Sequence, residues 1–263
     1  MPRLDGPVRF RARGFAPRES PAAGAATLVL LLVLWQVAAW RGWISTTFLS
    51  TPLDIARAIA ALAESGELWA HLSVSLQRLA IGWSAGTVAG LIVGFAAGLY
   101  SLTRSPAMAV VSALFPIPKI ALVPLFIIWF GIGEGSKVIT LAFGVFFPTV
   151  IATVAGIDGV PRGLIRMGQS FGLPRRSIVR KIVLPGALPS ILAGFRITTA
   201  TAIILLVAAE MIGAEKGIGA FVLSAGNLYD VDNLMAGIVL LSAIGLAASW
   251  LIGRVERALL GWR

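Results

Sequence analysis

Stretches of about 20 nearly uncharged residues recur along the chain and limit what it can become. They cover residues 23–40, 79–100, 108–130, 138–157, 188–212 and 234–252. An α-helix needs about 20 apolar residues to cross the hydrocarbon of a bilayer. Inside lipid every backbone N–H and C=O must be bonded internally, so runs of this length read as spanning helices. Only 13% of the 263 residues are charged, against about 25% in soluble domains. That leaves too little polar surface to cover a water-soluble globule. The fold class expected is an all-α polytopic membrane protein with about six transmembrane helices.

Charge in the connections sets orientation, because Lys and Arg favour the cytoplasmic side. One side collects Arg3, Arg9, Arg11, Arg13, Arg18, Arg104, Arg162, Arg166, Arg175, Arg176, Arg180, Lys181, Arg254, Arg257 and Arg263. The other holds Arg41, Arg57, Arg78, Lys137 and Lys216 among Asp54, Glu64, Glu67, Glu134, Glu215, Asp230 and Asp232. Both termini are therefore expected in the cytoplasm. Trp40, Trp43 and Trp129 fall at outer ends, and Trp250 and Trp262 at the inner end of the last span, as interfacial rings prefer. The net charge of +10 sits in these short connections, which argues for topology and against a nucleic-acid partner. Residues 1–22 read as a basic tail ahead of an uncleaved first helix, with a cleaved leader as the alternative.

The connection over residues 44–77 is too long for a turn, and its Ser/Thr-Pro start and helical spacing predict one or two helices on the outer face. Gly82, Gly86, Gly90, Gly94 and Gly98 recur at every fourth residue of the second span. Such a stripe lets another helix backbone approach closely. Packing within the chain is the favoured partner, with contact between copies as the alternative. Pro116, Pro118 and Pro124 in the third span predict a kinked helix.

Lys119, Arg196 and Glu210 fall within the spans, where an ionisable group marks a functional candidate. Arg196 and Glu210 are 14 residues apart on one helix, about 21 Å along its axis, so they cannot pair. With Thr198, Thr199 and Thr201 between them, they make the fifth span the candidate border of a translocation path. The alternative is that the hydroxyls bond back to their own helix and the charges anchor at the interfaces.

Other chemistry is poorly served. There is no cysteine and one histidine, His71, so neither a thiolate nor a histidine-rich metal site is available from this chain. His71 reads as an exposed or packed side chain. No G-x-x-x-x-G-K-[ST] phosphate loop occurs; "GIGEGSK" (131–137) has the wrong spacing. No catalytic constellation is present. A secondary carrier driven by an ion gradient is the alternative class, but no internal repeat supports it.

The connection over residues 158–187, "DGVPRGLIRMGQSFGLPRRSIVRKIVLPGA", is basic and punctuated. Residues 164–171 and 175–183 predict two short helices. Gly172 closes the first, Pro174 opens the second, and Pro185 and Pro189 end it. An ordered, partly apolar element between spans suggests a docking surface, with anionic headgroups as the plainer alternative.

Gly172, Ile182, Leu184 and Pro185 form G-x9-I-x-L-P. This resembles the signature of the inner-membrane permeases of bacterial ABC importers, the binding-protein-dependent transport family. "FPIPKIALVPLFIIWFGIGEGSK", "GFRITTATAIILLVAAEMIGAEKGIG" and "DNLMAGIVLL" are similar to its nitrate, sulfonate and taurine branch. The resemblance covers about residues 74–263, taken as the core domain behind a 23–73 segment holding the first helix and outer connection. It implies a type I importer permease fold in the bacterial inner membrane. It also implies a second copy of the chain, an external solute-binding protein, and a separate ATPase dimer carrying ATP and Mg. No cofactor is then bound by this chain. The ATPase-coupling residues would be Arg166, Gly168, Ser170, Phe171, Gly172, Leu173, Pro174, Arg175, Arg176, Ile182, Leu184 and Pro185. The cargo implied is a small oxyanion such as an alkanesulfonate, taurine or nitrate, with a vitamin precursor as the alternative. The chain departs from the family at Arg166, Met167 and Gly168, where the motif begins Glu-Ala-Ala; this reverses one charge at the docking surface.

Overall fold

A computed structural model describes residues 21–261. The tail arginines Arg3 to Arg18, Trp262 and Arg263 lie outside them. In chain order the helices are α1 (Pro21–Trp40), α2 (Pro52–Ser65), α3 (Glu67–Leu99), α4 (Ser101–Leu114), α5 (Val123–Phe130), α6 (Glu134–Asp158), α7 (Arg162–Ser170), α8 (Arg175–Ile178), α9 (Leu184–Gly213), α10 (Ile218–Asn227) and α11 (Val231–Leu259). No strand occurs among the described residues. Among the described residues five helices are long and apolar enough to cross a membrane, or six where α4 and the segment Lys119–Phe130, bent by 87°, count as one span.

The core is built on α6, held between α3 and α9. A Cβ added at Gly82, Gly90, Gly94 or Gly98 would lie within 2.4–2.7 Å of Leu141, Thr149, Thr153 or Ile157 side-chain atoms, and one at Gly86 would lie 2.4 Å from the Ala142 carbonyl oxygen. The stripe therefore packs α3 along α6 in parallel, within one chain. On the other side of α6, Gly144 receives Leu205, and Gly194 of α9 receives Ala152. In lipid no hydrophobic force draws helices together, so close contact through small residues supplies the packing. The α6 hydroxyls of Thr140, Thr149 and Thr153 donate to carbonyls four residues back, at 2.7–2.8 Å. That satisfies them inside the bundle without a partner helix.

Three expectations change here. The third span is not one kinked helix over 108–130: α4 stops at Leu114, and a 3₁₀ turn at Lys119–Leu122 leads into α5. Pro116 and Pro118 supply no amide hydrogens across this break, and each biases its preceding residue away from helix. The outer connection contains one helix, α2, within the one or two expected, capped by Thr51 on the Asp54 amide; what changes is the start of the second span. Residues 67–77 instead extend the second span backward, so α3 has 33 residues and the boundary at 73/74 falls inside it. Third, Pro185 does not end the second helix of the basic connection. Residues Arg175–Gly213 run as one helix, because a π turn at Val179–Val183 bonds the Leu184 amide to the Val179 carbonyl, five residues back. The missing N–H of Pro185 falls just beyond this widened turn.

Helix α1 is largely exposed along its length and touches the rest through Trp35, which packs against Ile55, Leu62 and Ala236, and Gln36, whose Oε1 accepts from the Leu53 amide at 3.1 Å. At one end of the bundle Arg104 makes two hydrogen bonds to Asp158, at 2.8 and 2.5 Å, fastening the start of α4 to the end of α6. We call this the basic end, since it carries residues 158–187. The opposite, acidic end carries α2 and the starts of α3, α6 and α11.

Gly86→Ala is expected to lower the thermal midpoint of the purified chain in detergent by several degrees, an overpacking cost of about 1–3 kcal/mol. Gly24→Ala, which meets no atom within 4 Å, serves as the control and should leave the midpoint unchanged.

Candidate functional site

Two constructions stand out, one at each end. At the basic end, α7 finishes in a Schellman turn: Leu173 N–H donates to Gly168 C=O at 3.0 Å and Gly172 N–H to Gln169 C=O at 2.9 Å. Gly172 has φ +68°, a left-handed conformation that glycine adopts without strain. Gly168 is buried, and a Cβ there would meet Ile182 Cδ1 at 3.0 Å. This explains the spacing of the motif physically: Gly172 reverses the chain so that Ile182 returns over Gly168. Ile178, Val183, Ala187 and Ile191 then join Ile157 and Val160 in one apolar cluster, flanked by Ile165 and Ile182. The turn is thereby welded to both α6 and α9.

The opposite face of this turn is bare. Phe171 is 77% exposed, with Met167, Leu164 and Leu173 also open. Arg162, Arg166, Ser170, Pro174, Arg175 and Arg176 are exposed around them. Leu184 is exposed and Pro185 half-buried where the segment enters α9.

At the acidic end lies a cluster whose central residue the sequence reading treated only as a topology charge. Arg78 is buried, with its side chain 4% exposed. It donates from Nη1 to Glu210 Oε1 at 2.8 Å and to the Lys216 carbonyl at 2.6 Å, and from Nε and Nη2 to the Glu134 carboxylate at 2.6 Å each. Glu210 is fully buried. It also accepts from Ser75 Oγ at 2.8 and 3.0 Å and from the Gly219 amide at 2.8 Å. Ser75 in turn accepts from the Ile218 amide, and His71 Nδ1 from the Gly217 amide. Gly217 has φ +131°, and a Cβ there would lie 2.4 Å from the Glu210 carboxyl. One guanidinium thus ties α3, α6, α9 and the loop before α10 together. The available signal was register: Arg78 sits four residues before Gly82, continuing the packing stripe.

The other path candidates separate. Thr198, Thr199 and Thr201 all donate to carbonyls three or four residues back on their own helix. Thr198 also accepts from Trp83 Nε1 at 3.2 Å. Glu210 and Thr198 are wholly inside the packed bundle, so the structure does not place them on the border of a passage. Thr199 is nearly buried. Lys119 sits in the break between α4 and α5, where its ammonium donates to the Phe115 carbonyl and lies 4.5 Å from the Phe115 ring centroid. Arg196 is open and pairs with Glu256 of α11. No group of three or more metal-binding side chains occurs among the described residues.

This architecture matches solved importer permeases. A structure of the MetNI methionine ABC transporter in an inward-facing conformation superposes with TM-score 0.63 at 24% identity, over 74% of this chain and 95% of that one. The fold is that of a type I ABC importer permease. The chain belongs to the family described as "Binding-protein-dependent transport system inner membrane component", whose model matches residues 86–261. It is 35% identical to the putative aliphatic sulfonates transport permease protein SsuC of Bacillus subtilis, over 89% of this chain and 85% of that one. It is also 35% identical to the taurine transport system permease protein TauC of Escherichia coli, over 90% and 88%. The chain is therefore a multi-pass inner-membrane permease subunit of an ABC importer, in a family that works with an ATPase and a solute-binding protein.

Removing one partner of a buried ion pair leaves an uncompensated charge and costs about 3–5 kcal/mol. Arg78→Ala and Glu210→Ala should each strongly lower the thermal midpoint in detergent, and the double variant should lose much less than the sum. Glu134, 64% exposed, should cost under about 1 kcal/mol when changed to Gln.

Proposed function

We propose that this chain forms the translocation path for a small sulfonate-type oxyanion and takes its power from a separate ATPase dimer docked on residues 158–187. The observation that carries the docking reading is the bare apolar face of the α7–α8 turn. Phe171, Met167, Leu164 and Leu173 stand exposed among arginines outside the spans, on an element rigidly packed from behind. An apolar patch rimmed by charge is the mark of a protein contact, and a segment needed only for topology would require no such order.

On this reading the basic end faces the cytoplasm, where both termini also lie, and the acidic end receives the solute-binding protein. ATP and Mg are bound by the ATPase and not by this chain. Two copies face each other across the path, with the open side of α9, including Arg196, Ile197 and Thr201, toward it. The exposed Arg166, where the family motif has an acid, would meet a compensating carboxylate on the ATPase. The names of the relatives support an aliphatic sulfonate or taurine as cargo; an anion also suits a chain whose exposed charge at the basic end is positive.

Co-expression with its partner ATPase tests the docking. The parent chain should retain that ATPase in mild detergent and drive ATP-dependent taurine or alkanesulfonate uptake into vesicles. Gly172→Val, which forces a β-branched side chain to φ +68°, and the pair Arg175→Glu with Arg176→Glu should each reduce uptake more than tenfold and release the ATPase, with membrane insertion intact. Undiminished uptake by these variants, or uptake by the parent without any ATPase, would contradict the reading.

A further inference from the structure

Two cavities lie in line on the face between α9 and α11. One, of about 550 Å³, runs along Ala200, Ile203 and Ile204 of α9 and Leu241, Gly245 and Ser249 of α11. The other, of about 530 Å³, lies further toward the basic end and is bounded by Arg196, Gly253, Glu256 and Arg257. Four residues, about one helical turn, separate Ser249 from Gly253. The first cavity has mainly apolar walls, with Thr199, Ser242 and Ser249 also in its lining, whereas the second is charged.

We propose that these two cavities form one binding site for an aliphatic anion, with the headgroup held by Arg196 and Arg257 and the carbon chain along the α9–α11 groove. Glu256 acts as the built-in competitor for the headgroup. The assignment to an alkanesulfonate rests on the sulfonate reading above; the geometry of the site does not.

The charges give the site its chemistry. Two guanidiniums and one carboxylate border the inner cavity, so its side chains carry a net positive charge. Glu256 occupies Arg196 in an ion pair, and this carboxylate occupies the position an oxyanion would take. Arg257 is exposed on the same cavity. A guanidinium presents a fork of donors that matches oxyanions. A sulfonate has three acceptor oxygens and can reach both arginines at once, which gives it a means of displacing a single carboxylate. Arg254, beside them in sequence, is held over the Trp250 ring at 4.5 Å and so is directed to another partner. Gly253 keeps the cavity open: an added Cβ would lie 3.6 Å from Arg196 Nη2, and any longer side chain would fill the space between the arginine and α11. The adjoining groove offers a chain of several carbons apolar walls, which an inorganic anion would not use. The site therefore favours a headgroup with a tail over nitrate or sulfate.

The same chemistry describes a phospholipid, with phosphate for sulfonate and an acyl chain for the alkyl tail, and the test separates the two sources. The permease, complexed with its ATPase, is placed in nanodiscs of phosphatidylcholine alone and titrated with hexanesulfonate, with sulfate and hexanol as controls. Hexanesulfonate should bind at least tenfold more tightly than either control. Arg196→Gln should weaken it at least tenfold, whereas Glu256→Gln, which removes the competitor, should tighten it severalfold. These opposite signs distinguish a binding role from a structural ion pair, in which both variants would bind alike or both would lose binding. Because the chain has no cysteine, Ile204→Cys gives a single thiol in the groove; hexanesulfonate should slow its reaction with maleimide.

Several results would overturn the proposal. One is equal binding by parent and Arg196→Gln. Another is an Ile204→Cys thiol sealed from maleimide with or without sulfonate, which would make the groove a buried contact between copies. A third is phosphatidylglycerol retained by the parent in native mass spectrometry and lost from Arg196→Gln, with no sulfonate binding; this would assign the site to lipid. Sulfonate uptake that continues at the parent rate in Arg196→Gln and Glu256→Gln would sink this site while leaving the sulfonate cargo intact. Absence of sulfonate uptake by the parent transporter would remove the cargo reading itself.

Discussion

The close contact of α3 with α6 is the constraint on which the rest of the molecule depends. Lipid gives helices no hydrophobic reason to associate, so the bundle must gain its stability from contact area and hydrogen bonds. Glycines on α3 bring its backbone against α6 at residues 82–98, and Gly144 and Gly156 open α6 toward α9 on the other flank. With these three helices fixed, each end can carry a specialised structure: a buried guanidinium at the acidic end and a helical turn standing outside the spans at the basic end.

The two ends are mechanically joined. Residues Arg175–Gly213 form a continuous helix of 39 residues, about 58 Å at 1.5 Å per residue. Its first turns belong to the apolar cluster that includes the end of α6 and the buried side of α7. Near its far end stands Glu210, held by Arg78 and Ser75 of α3. Packed helices rather than a loop therefore connect the α7–α8 turn to the acidic end. The place suited to bending is the break between α4 and α5, where the chain turns by 87° and the Lys119 ammonium donates to the Phe115 carbonyl. Transport by rigid-body switching needs this combination of stiff blocks and a discrete hinge.

How far the sequence disclosed this depended on whether the information was local. Apolar runs are local, and they marked the spans. The four-residue glycine period marked a packing face, and Gly172 between two amphipathic stretches marked a turn. Other features depend on distant residues. Arg78 and Glu210 are separated by 132 positions, and nothing near either residue names the other, so Glu210 read as a path-lining charge and Arg78 as a topology signal. Residues 67–77 hold Glu67, His71 and Gln77 and look like a polar connection, yet they continue α3 because they meet α10 and the 214–217 loop. Pro185 reads as a stop, but a π turn absorbs its missing donor. The prolines at 116 and 118 announced a kink without fixing its size, which the packing of α5 against α6 sets through Phe126 and Phe143.

The central claim is that the α7–α8 turn and α9 move as one lever under an ATPase. Spin labels at Met167→Cys and Ala214→Cys measure this directly by pulsed electron resonance: doubly labelled chain diluted with unlabelled chain reports the distance within one copy, and a second sample labelled only at Ala214→Cys in both copies of the proposed homodimer reports the distance between copies. The account predicts that the distance between the two labels stays within about 2 Å between nucleotide-free and ATP-bound transporter, while distances between labels on opposite copies change by more than that. A change within one copy as large as the change between copies would show that the turn flexes independently of α9, and would contradict the account.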